Sequence, residues 1–109
     1  MQPYIFPYIG YFQMVNAVDK FVFYDDVNYI KKGWVNRNRI LVNGRDFMFT
    51  VPLMKMSQNN LILESYIRKD TYTEWKDKFL QTVELGYKKA PHFDSIYNLL
   101  KTFFNTEYE

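Results

Sequence analysis

The opening segment of the chain, MQPYIFPYIGYFQ over residues 1–13, constrains the fold more than any other stretch. Its first eleven residues hold two prolines, one glycine and four aromatic residues, which suits neither a regular helix nor a regular strand. Pro7 fixes its own φ and favours extended geometry at Phe6, so the segment specifies one particular backbone path. Residues 1–8 are therefore predicted to form an ordered loop.

The residues after this loop carry first a helical and then an extended pattern. Apolar residues recur at three- and four-residue steps between Gly10 and Val18, which predicts a helix. The continuous apolar run at residues 21–24 predicts a buried, parallel strand. If a strand precedes Gln2, these elements make the start of a right-handed βαβ unit.

Turn and cap residues separate the predicted elements in the rest of the chain. Asn43-Gly44 lies between two strand-like runs and predicts a β-hairpin, because both residues tolerate positive φ. Residues 61–67 are a further strand candidate, and helices are predicted up to Gly86 and again from Pro91. We therefore expect an α/β fold with a Rossmann-like βαβ start, a β-hairpin and C-terminal helices, in a single domain over residues 1–109.

Composition excludes several classes of protein. The chain has no cysteine, which excludes disulfide bridges and thiolate metal sites. No apolar run approaches the roughly 20 residues of a membrane span, and the N-terminus lacks the pattern of a signal peptide. The expected location is therefore the cytoplasm. The net charge of +2 is too small to indicate nucleic acid as a partner.

A local positive patch is the most specific chemical feature of the sequence. Residues 31–45 hold five cationic residues and no acidic one, which suits a phosphate or carboxylate ligand. Arg37 and Arg39 share one face of an extended backbone, and Asn36 and Asn38 share the other. Arginine can clamp an anion through two parallel hydrogen bonds, asparagine suits sugar hydroxyls, and Trp34 can stack on a ring or simply pack. A solvated basic loop is the alternative interpretation.

Asp25 and Asp26 follow the predicted strand at its carboxyl end, where open α/β sheets bind ligands. Adjacent residues on a strand point to opposite faces, so one of the two carboxylates is expected to face a ligand. It could hold a magnesium ion or a substrate amine, or act as a base. Capping the following turn is the structural alternative.

At residues 1–13 and 24–41 the chain resembles the WbqC-like protein family. Members are bacterial proteins often encoded among O-antigen and other surface-polysaccharide genes, and a glycine- or acyl-transfer role on sugars has been suggested for some. The resemblance implies a part in lipopolysaccharide biosynthesis, with transfer of an acyl or aminoacyl group to a nucleotide-linked amino sugar. It covers about the first half of the family, so we expect a truncated member or a fragment.

The resemblance also implies roles for the residues singled out above. In a transferase of this kind, Asp25 or Asp26 would take the proton of the sugar amine. The predicted substrate-binding residues are Gln2, Tyr11, Lys31, Lys32, Trp34, Asn36, Arg37, Asn38 and Arg39. A small-molecule substrate is the expected partner, while the sequence names no donor, acceptor, cofactor, metal or oligomeric state.

Two other functions fit the same residues. The first is a binding module without catalysis, which would recognise a sugar nucleotide or a partner enzyme. The second rests on a weaker resemblance of residues 7–19 to nucleotidyltransferases with a His-x-Gly-His signature. Tyr8 and Tyr11 stand where those histidines would, and a phenol with a pKa near 10 cannot act as a cation on a phosphate at neutral pH. The sequence therefore leaves open whether the chain is an enzyme.

Overall fold

The computed structural model describes residues 1–106, which form helices, a 3-10 turn and one hairpin. The elements are α1 (Ile9–Ala17), β1 (Arg37–Val42), β2 (Arg45–Thr50), a 3-10 helix (Ile62–Glu64), α2 (Lys69–Tyr87) and α3 (Phe93–Asn105). The fold is thus mixed α and β, as predicted at that level. Two compact units are present, one made of residues 1–38 and 50–68 and the other of residues 39–49 and the chain from Lys69. A single-domain organisation stays a prediction.

The first unit is built around the N-terminal loop and α1. Residues 1–8 have no helix or strand, as predicted, and the Ile5 amide donates to the Val35 carbonyl at 3.0 Å. Tyr11 is the buried residue of α1, and its hydroxyl donates to the Gln2 carbonyl at 2.9 Å. The loop is therefore held in one path by contacts with later parts of the chain.

Residues 21–24 lie beside Met1 without forming a regular strand. The Met1 amino group donates to the Val22 carbonyl at 3.0 Å, and the Tyr24 amide donates to the Met1 carbonyl at 2.7 Å. These two bonds flank Phe23, which is the pattern of a single parallel pair. Among the described residues this pair is too short for a strand, so the Rossmann-like start stays a prediction.

The prediction of a strand over residues 61–67 is wrong at its centre. Residues 62–64 form a 3-10 helix instead, because the Glu64 carboxylate accepts the Leu61 amide at 2.7 Å and tightens the turn. What remains of strand pairing is two isolated antiparallel bridges, Asn28 with Leu61 and Leu53 with Ile67. This segment closes the first unit around buried Ile62 and Tyr29.

The second unit contains the hairpin tip and both long helices. Asn43 and Gly44 have φ of 52° and 77°, which confirms the predicted turn with two positive-φ residues. The predicted C-terminal helices are confirmed as α2 and α3. Helix α3 begins at Phe93, two residues after Pro91, because His92 is left-handed with φ of 61°.

Aromatic rings form the core of this second unit. Phe79 of α2 stacks on Trp75 with ring centroids 5.2 Å apart and contacts Phe49 of β2 at 4.6 Å. Phe104 of α3 contacts Phe79 edge-on at 5.5 Å. The Tyr72 hydroxyl donates to the Phe104 carbonyl at 2.8 Å. Ring packing and this bond hold α2 and α3 together.

Candidate functional site

A basic loop, residues 30–37, contains the predicted cationic binding residues of the first unit, Lys31, Lys32 and Arg37. Arg37 organises it: its Nε donates to the Gly33 carbonyl at 2.9 Å, and an Nη donates to the Lys32 carbonyl. The Gly33 amide donates to the Ile30 carbonyl at 3.2 Å, and Lys32 is left-handed with φ of 59°. The guanidinium therefore fixes a tight turn whose carbonyls point inward.

The side chains presented by the basic loop are cationic and aromatic. Lys31 and Lys32 are exposed, and Trp34 is 45% exposed. The Arg37 guanidinium carbon lies 5.2 Å from the Trp34 ring centroid, in a cation–π contact. Two ammonium groups and an indole in one loop suit an anion that carries a flat ring or a sugar.

Asn36 and Asn38 use their side-chain amides to hold the backbone. Asn36 Nδ2 donates to the Val51 carbonyl at 3.0 Å, and its Oδ1 accepts the Tyr29 hydroxyl at 2.9 Å. Asn38 Nδ2 donates to the carbonyls of Ile5 and Phe6, at 3.0 and 2.8 Å. Both residues therefore have a structural role that their sequence context did not reveal.

Gln2 and Tyr11 lie together, as a pair of predicted binding residues. The Gln2 backbone carbonyl accepts the Tyr11 hydroxyl, and the Gln2 Oε1 accepts the Tyr4 hydroxyl at 3.2 Å. Burial, followed by the neighbouring Tyr4, raises the pKa of Tyr11 above its usual 10.0. The Tyr11 phenol is therefore neutral at physiological pH and donates a hydrogen bond to the chain itself.

The two aspartates and Arg39 have different surroundings. Asp25 is half-buried and its backbone carbonyl accepts the Leu63 amide at 2.9 Å, whereas Asp26 is exposed. Arg39 belongs to the second unit, where its guanidinium lies 3.8 Å from the Asp46 carboxylate in an exposed ion pair. Within residues 1–106, no group of three or more acidic or histidine side chains could hold a metal ion.

The second unit has a groove of about 650 Å³ that the sequence did not predict. The hairpin turn lines one side with Asn43 and Gly44, and the end of α2 lines the other with Gln81 and Glu84. Lys88 and Lys89 follow at the rim. None of the predicted site residues lines it. The sequence signal for this groove was Gly-Tyr-Lys-Lys at the end of α2. It is a weak signal, because lysine is common at helix C-termini, where it interacts favourably with the helix dipole.

No helix in residues 1–106 combines the length and the apolar character that crossing a membrane requires.

Comparison with known proteins identifies the family to which the chain belongs. The model of the WbqC-like protein family matches residues 2–109. "Uncharacterized protein Rv1507c" of Mycobacterium tuberculosis (strain ATCC 25618 / H37Rv) is 36% identical over 91 residues. The match spans 83% of this chain but 38% of that relative's length. No solved structure matches the chain.

Proposed function

The chain belongs to the WbqC-like protein family, and we propose that its basic loop binds the anionic group of a nucleotide-linked sugar. The observation that carries this proposal is the Arg37 guanidinium, which holds the loop from inside through the Gly33 and Lys32 carbonyls. With the loop so fixed, Lys31, Lys32 and Trp34 are exposed together.

In this proposal, different residues of the basic loop contact different parts of the ligand. The two ammonium groups neutralise a diphosphate, because a strongly hydrated point charge suits phosphate oxygens. The Trp34 ring stacks on the sugar or the base, and Arg37 in its cation–π contact keeps the indole oriented. No acidic residue lies between positions 31 and 45 to oppose the anion.

We place this binding in bacterial surface-polysaccharide (O-antigen) biosynthesis, with transfer of an acyl or glycyl group as the chemical step. The sugar amine nitrogen forms a new amide bond to the acyl carbon, and the bond from that carbon to its leaving group breaks. A carboxylate, Asp25 or Asp26, takes the amine proton. The half-buried position of Asp25 and its main-chain bond to Leu63 support Asp25 over Asp26. A Rossmann-like sheet start would put these carboxylates at a strand end.

A binding module without catalysis is the second candidate. It is favoured by the amides of Asn36 and Asn38, which serve the backbone, and by the ion pair of Arg39 with Asp46. These contacts leave fewer groups to surround a reacting amine. In this candidate the same basic loop binds the sugar nucleotide and hands it to a separate enzyme.

The test is calorimetric titration of the chain with a nucleoside diphosphate amino sugar and with the nucleoside diphosphate alone. The Lys31→Ala/Lys32→Ala double variant should bind about tenfold to a hundredfold more weakly, since two charge-assisted contacts are lost. The matched control is Lys20→Ala/Lys55→Ala, which removes two exposed lysines elsewhere in the first unit. Wild-type affinity should also fall as salt rises.

Absence of binding by the wild-type chain, or an equal loss in both double variants, would remove the proposal. If binding is found, Asp25→Asn separates the two candidates. The variant should keep affinity and lose acyl transfer to the amine if the chain is a transferase. Retention of transfer in that variant would exclude Asp25 as the base.

A further inference from the structure

The groove of the second unit lies between the hairpin turn and the end of α2, and contacts of the chain itself fix its two walls. The Leu41 amide donates to the Tyr87 hydroxyl at 2.9 Å. Gly86 approaches β1 so closely that a Cβ in its place would lie 2.8 Å from the Leu41 carbonyl oxygen. The groove volume of about 650 Å³ lies within the range of about 300–1,000 Å³ that is usual for small-molecule sites.

The wall formed by α2 follows from the helical repeat. Gln81 and Leu85 line the groove four residues apart, with Glu84 beside them on the same side of the helix. The Lys88 amide donates to the Glu84 carbonyl at 3.0 Å, so the helical pattern continues through Lys88. One face of α2 therefore presents an amide, a leucine, a carboxylate and an ammonium group to the groove.

The apolar part of the lining is aliphatic. Leu41 on the hairpin wall is 59% exposed, and Leu85 on the α2 wall is 67% exposed. A single exposed leucine is ordinary, but here one leucine from each wall lines the same concave surface. No aromatic residue is among the described residues that line the groove, so a base or sugar ring has no partner for stacking. The groove therefore suits an aliphatic chain.

The charges of the lining favour an anion with a single charge. Lys88 and Lys89 are exposed at the rim, and within residues 1–106 neither forms an ion pair. Together with Glu84 they leave one net positive charge, which a monoanion balances and a diphosphate exceeds. Lysine at a helix C-terminus is common, so these cations gain meaning only from the aliphatic groove beside them.

Two side-chain amides complete the polar lining. Asn43 lies on the hairpin wall and Gln81 on the α2 wall, and both are exposed. Each amide nitrogen carries two N–H donors, while a carboxylate has two oxygens that accept. A carboxylate in the groove can therefore accept from an ammonium group and from an amide at once.

We propose that this groove, the hairpin groove, binds an aliphatic carboxylate. Lys88 and Lys89 bind the carboxylate, and the aliphatic chain packs on Leu41 and Leu85. The hairpin groove shares no residue with the basic loop of the first unit, so this site goes beyond the function proposed above. Its test is therefore independent of whether the basic loop binds a sugar nucleotide.

The experiment is an NMR titration of the isotope-labelled full chain with octanoate, with acetate and octanol as probes of its two parts. We expect saturable shifts of the backbone amides of residues 43–44 and 84–89, and of the side-chain amides of Asn43 and Gln81. Acetate lacks the chain and octanol lacks the charge, so each should bind at least about tenfold more weakly than octanoate.

A double variant tests the cations. Lys88→Ala/Lys89→Ala should weaken octanoate binding about tenfold, because the charge-assisted contacts to the carboxylate are lost. Lys69→Ala/Lys78→Ala is the matched control, since it removes two exposed lysines from the same helix away from the groove. The control should bind octanoate as the wild type does. An equal loss in both double variants would overturn the proposal.

Glu84→Gln tests the groove by a gain of affinity. The variant keeps the size of an exposed side chain and removes the negative charge in the lining, so octanoate should bind about threefold more tightly. Glu74→Gln makes the same change at an exposed position of α2 outside the groove and should leave the affinity unchanged. A similar gain in both variants would show a general charge effect and overturn the assignment to the groove.

The wild-type titration can also overturn the proposal by itself. The absence of saturable shifts at the groove would do so, as would equal affinity for octanoate and octanol. Ile9 of α1 and Leu99 of α3 are exposed apolar residues outside the groove. Octanoate that shifts the amides of these residues as strongly as those of the groove would show adsorption to any apolar surface.

Discussion

Tyr11 connects three features of the first unit through one side chain. Its hydroxyl donates to the Gln2 carbonyl, and its ring contacts Tyr4 at 6.2 Å and Phe21 at 5.5 Å. Burial raises its pKa, with a smaller contribution from Tyr4. Ionisation of this phenol would put a charge inside the unit and break the hydrogen bond, because a phenolate and a carbonyl oxygen both only accept. The Tyr11 side chain therefore links the stability of the loop to alkaline pH.

We expect Tyr11→Phe to lower the free energy of unfolding by about 1 kcal/mol at neutral pH, through loss of the bond to Gln2. The raised pKa of Tyr11 gives stability that is complete below its unfolded value of 10.0 and lost as pH rises through the folded value. The variant should therefore lose less stability than the wild type above pH 10. Urea unfolding at neutral and alkaline pH measures both effects.

Tyr97→Phe is the comparison for this experiment. The pKa of Tyr97 is also raised, first by burial and then by Glu84, so its contribution is lost at alkaline pH in the same direction. It lies in the second unit. A Tyr11→Phe variant with the full alkaline loss of the wild type would contradict the linkage assigned to Tyr11.

At the scale of elements, the packing of α2 on β1 depends on a glycine. A Cβ placed on Gly86 would lie 2.8 Å from the Leu41 carbonyl oxygen and 3.5 Å from Val42 Cγ2. The Tyr87 hydroxyl accepts the Leu41 amide at 2.9 Å, next to this close approach. Because the nearest atom belongs to the backbone, an added methyl group would push the helix and strand apart.

Gly86→Ala should therefore lower the free energy of unfolding by about 1–3 kcal/mol from overpacking. This loss is partly offset by the roughly 1 kcal/mol by which alanine is favoured over glycine in a helix. Urea unfolding measures the difference. Gln81→Ala, at an exposed position of the same helix, should change stability by less than about 0.5 kcal/mol. A stabilised Gly86→Ala protein would show that the contact with Leu41 relaxes freely.

The elements that sequence predicted correctly are those set by local chemistry. Asn43-Gly44 supplies its own positive φ values, and the apolar periodicity of α2 and α3 lies within each helix. Residues 61–67 failed because Glu64 captures the Leu61 amide. The prediction of a buried strand over residues 21–24 is wrong, because Val22, Phe23 and Tyr24 are exposed and the segment has no assigned strand. Strand pairing needs a second strand, which no local pattern can guarantee.

At the scale of the whole molecule, sequence spacing did not reveal the contacts that the candidate residues make. Spacing grouped Asn36, Arg37 and Asn38 as ligand-binding groups, whereas their observed partners are backbone carbonyls of distant or nearby residues. Folding brings those carbonyls within hydrogen-bond distance, so neither spacing nor composition predicts these contacts. Lys31 and Lys32 are exposed in a loop, and their role as ligand-binding residues stays a prediction.

Burial also differs greatly among the helices, which predicts unequal local stability. Helix α2 buries Phe79, Leu80 and Val83, while α1 buries Tyr11. The amides of α1 should therefore exchange with solvent faster than those of α2. Native-state hydrogen exchange followed by NMR measures this order. Equal protection of both helices would contradict it.

The bonds from Asn38 to Ile5 and Phe6 have a consequence for synthesis on the ribosome. The loop residues leave the exit tunnel before Asn38, whose Nδ2 donates to their carbonyls from 33 and 32 positions later in the chain. Phe6 has φ of 49°, a strained backbone that needs those partners to hold it. The N-terminal loop therefore cannot reach its native path when it emerges. It must remain unfolded until the hairpin strand has been translated, so residues made before that strand are among the last of their unit to fold.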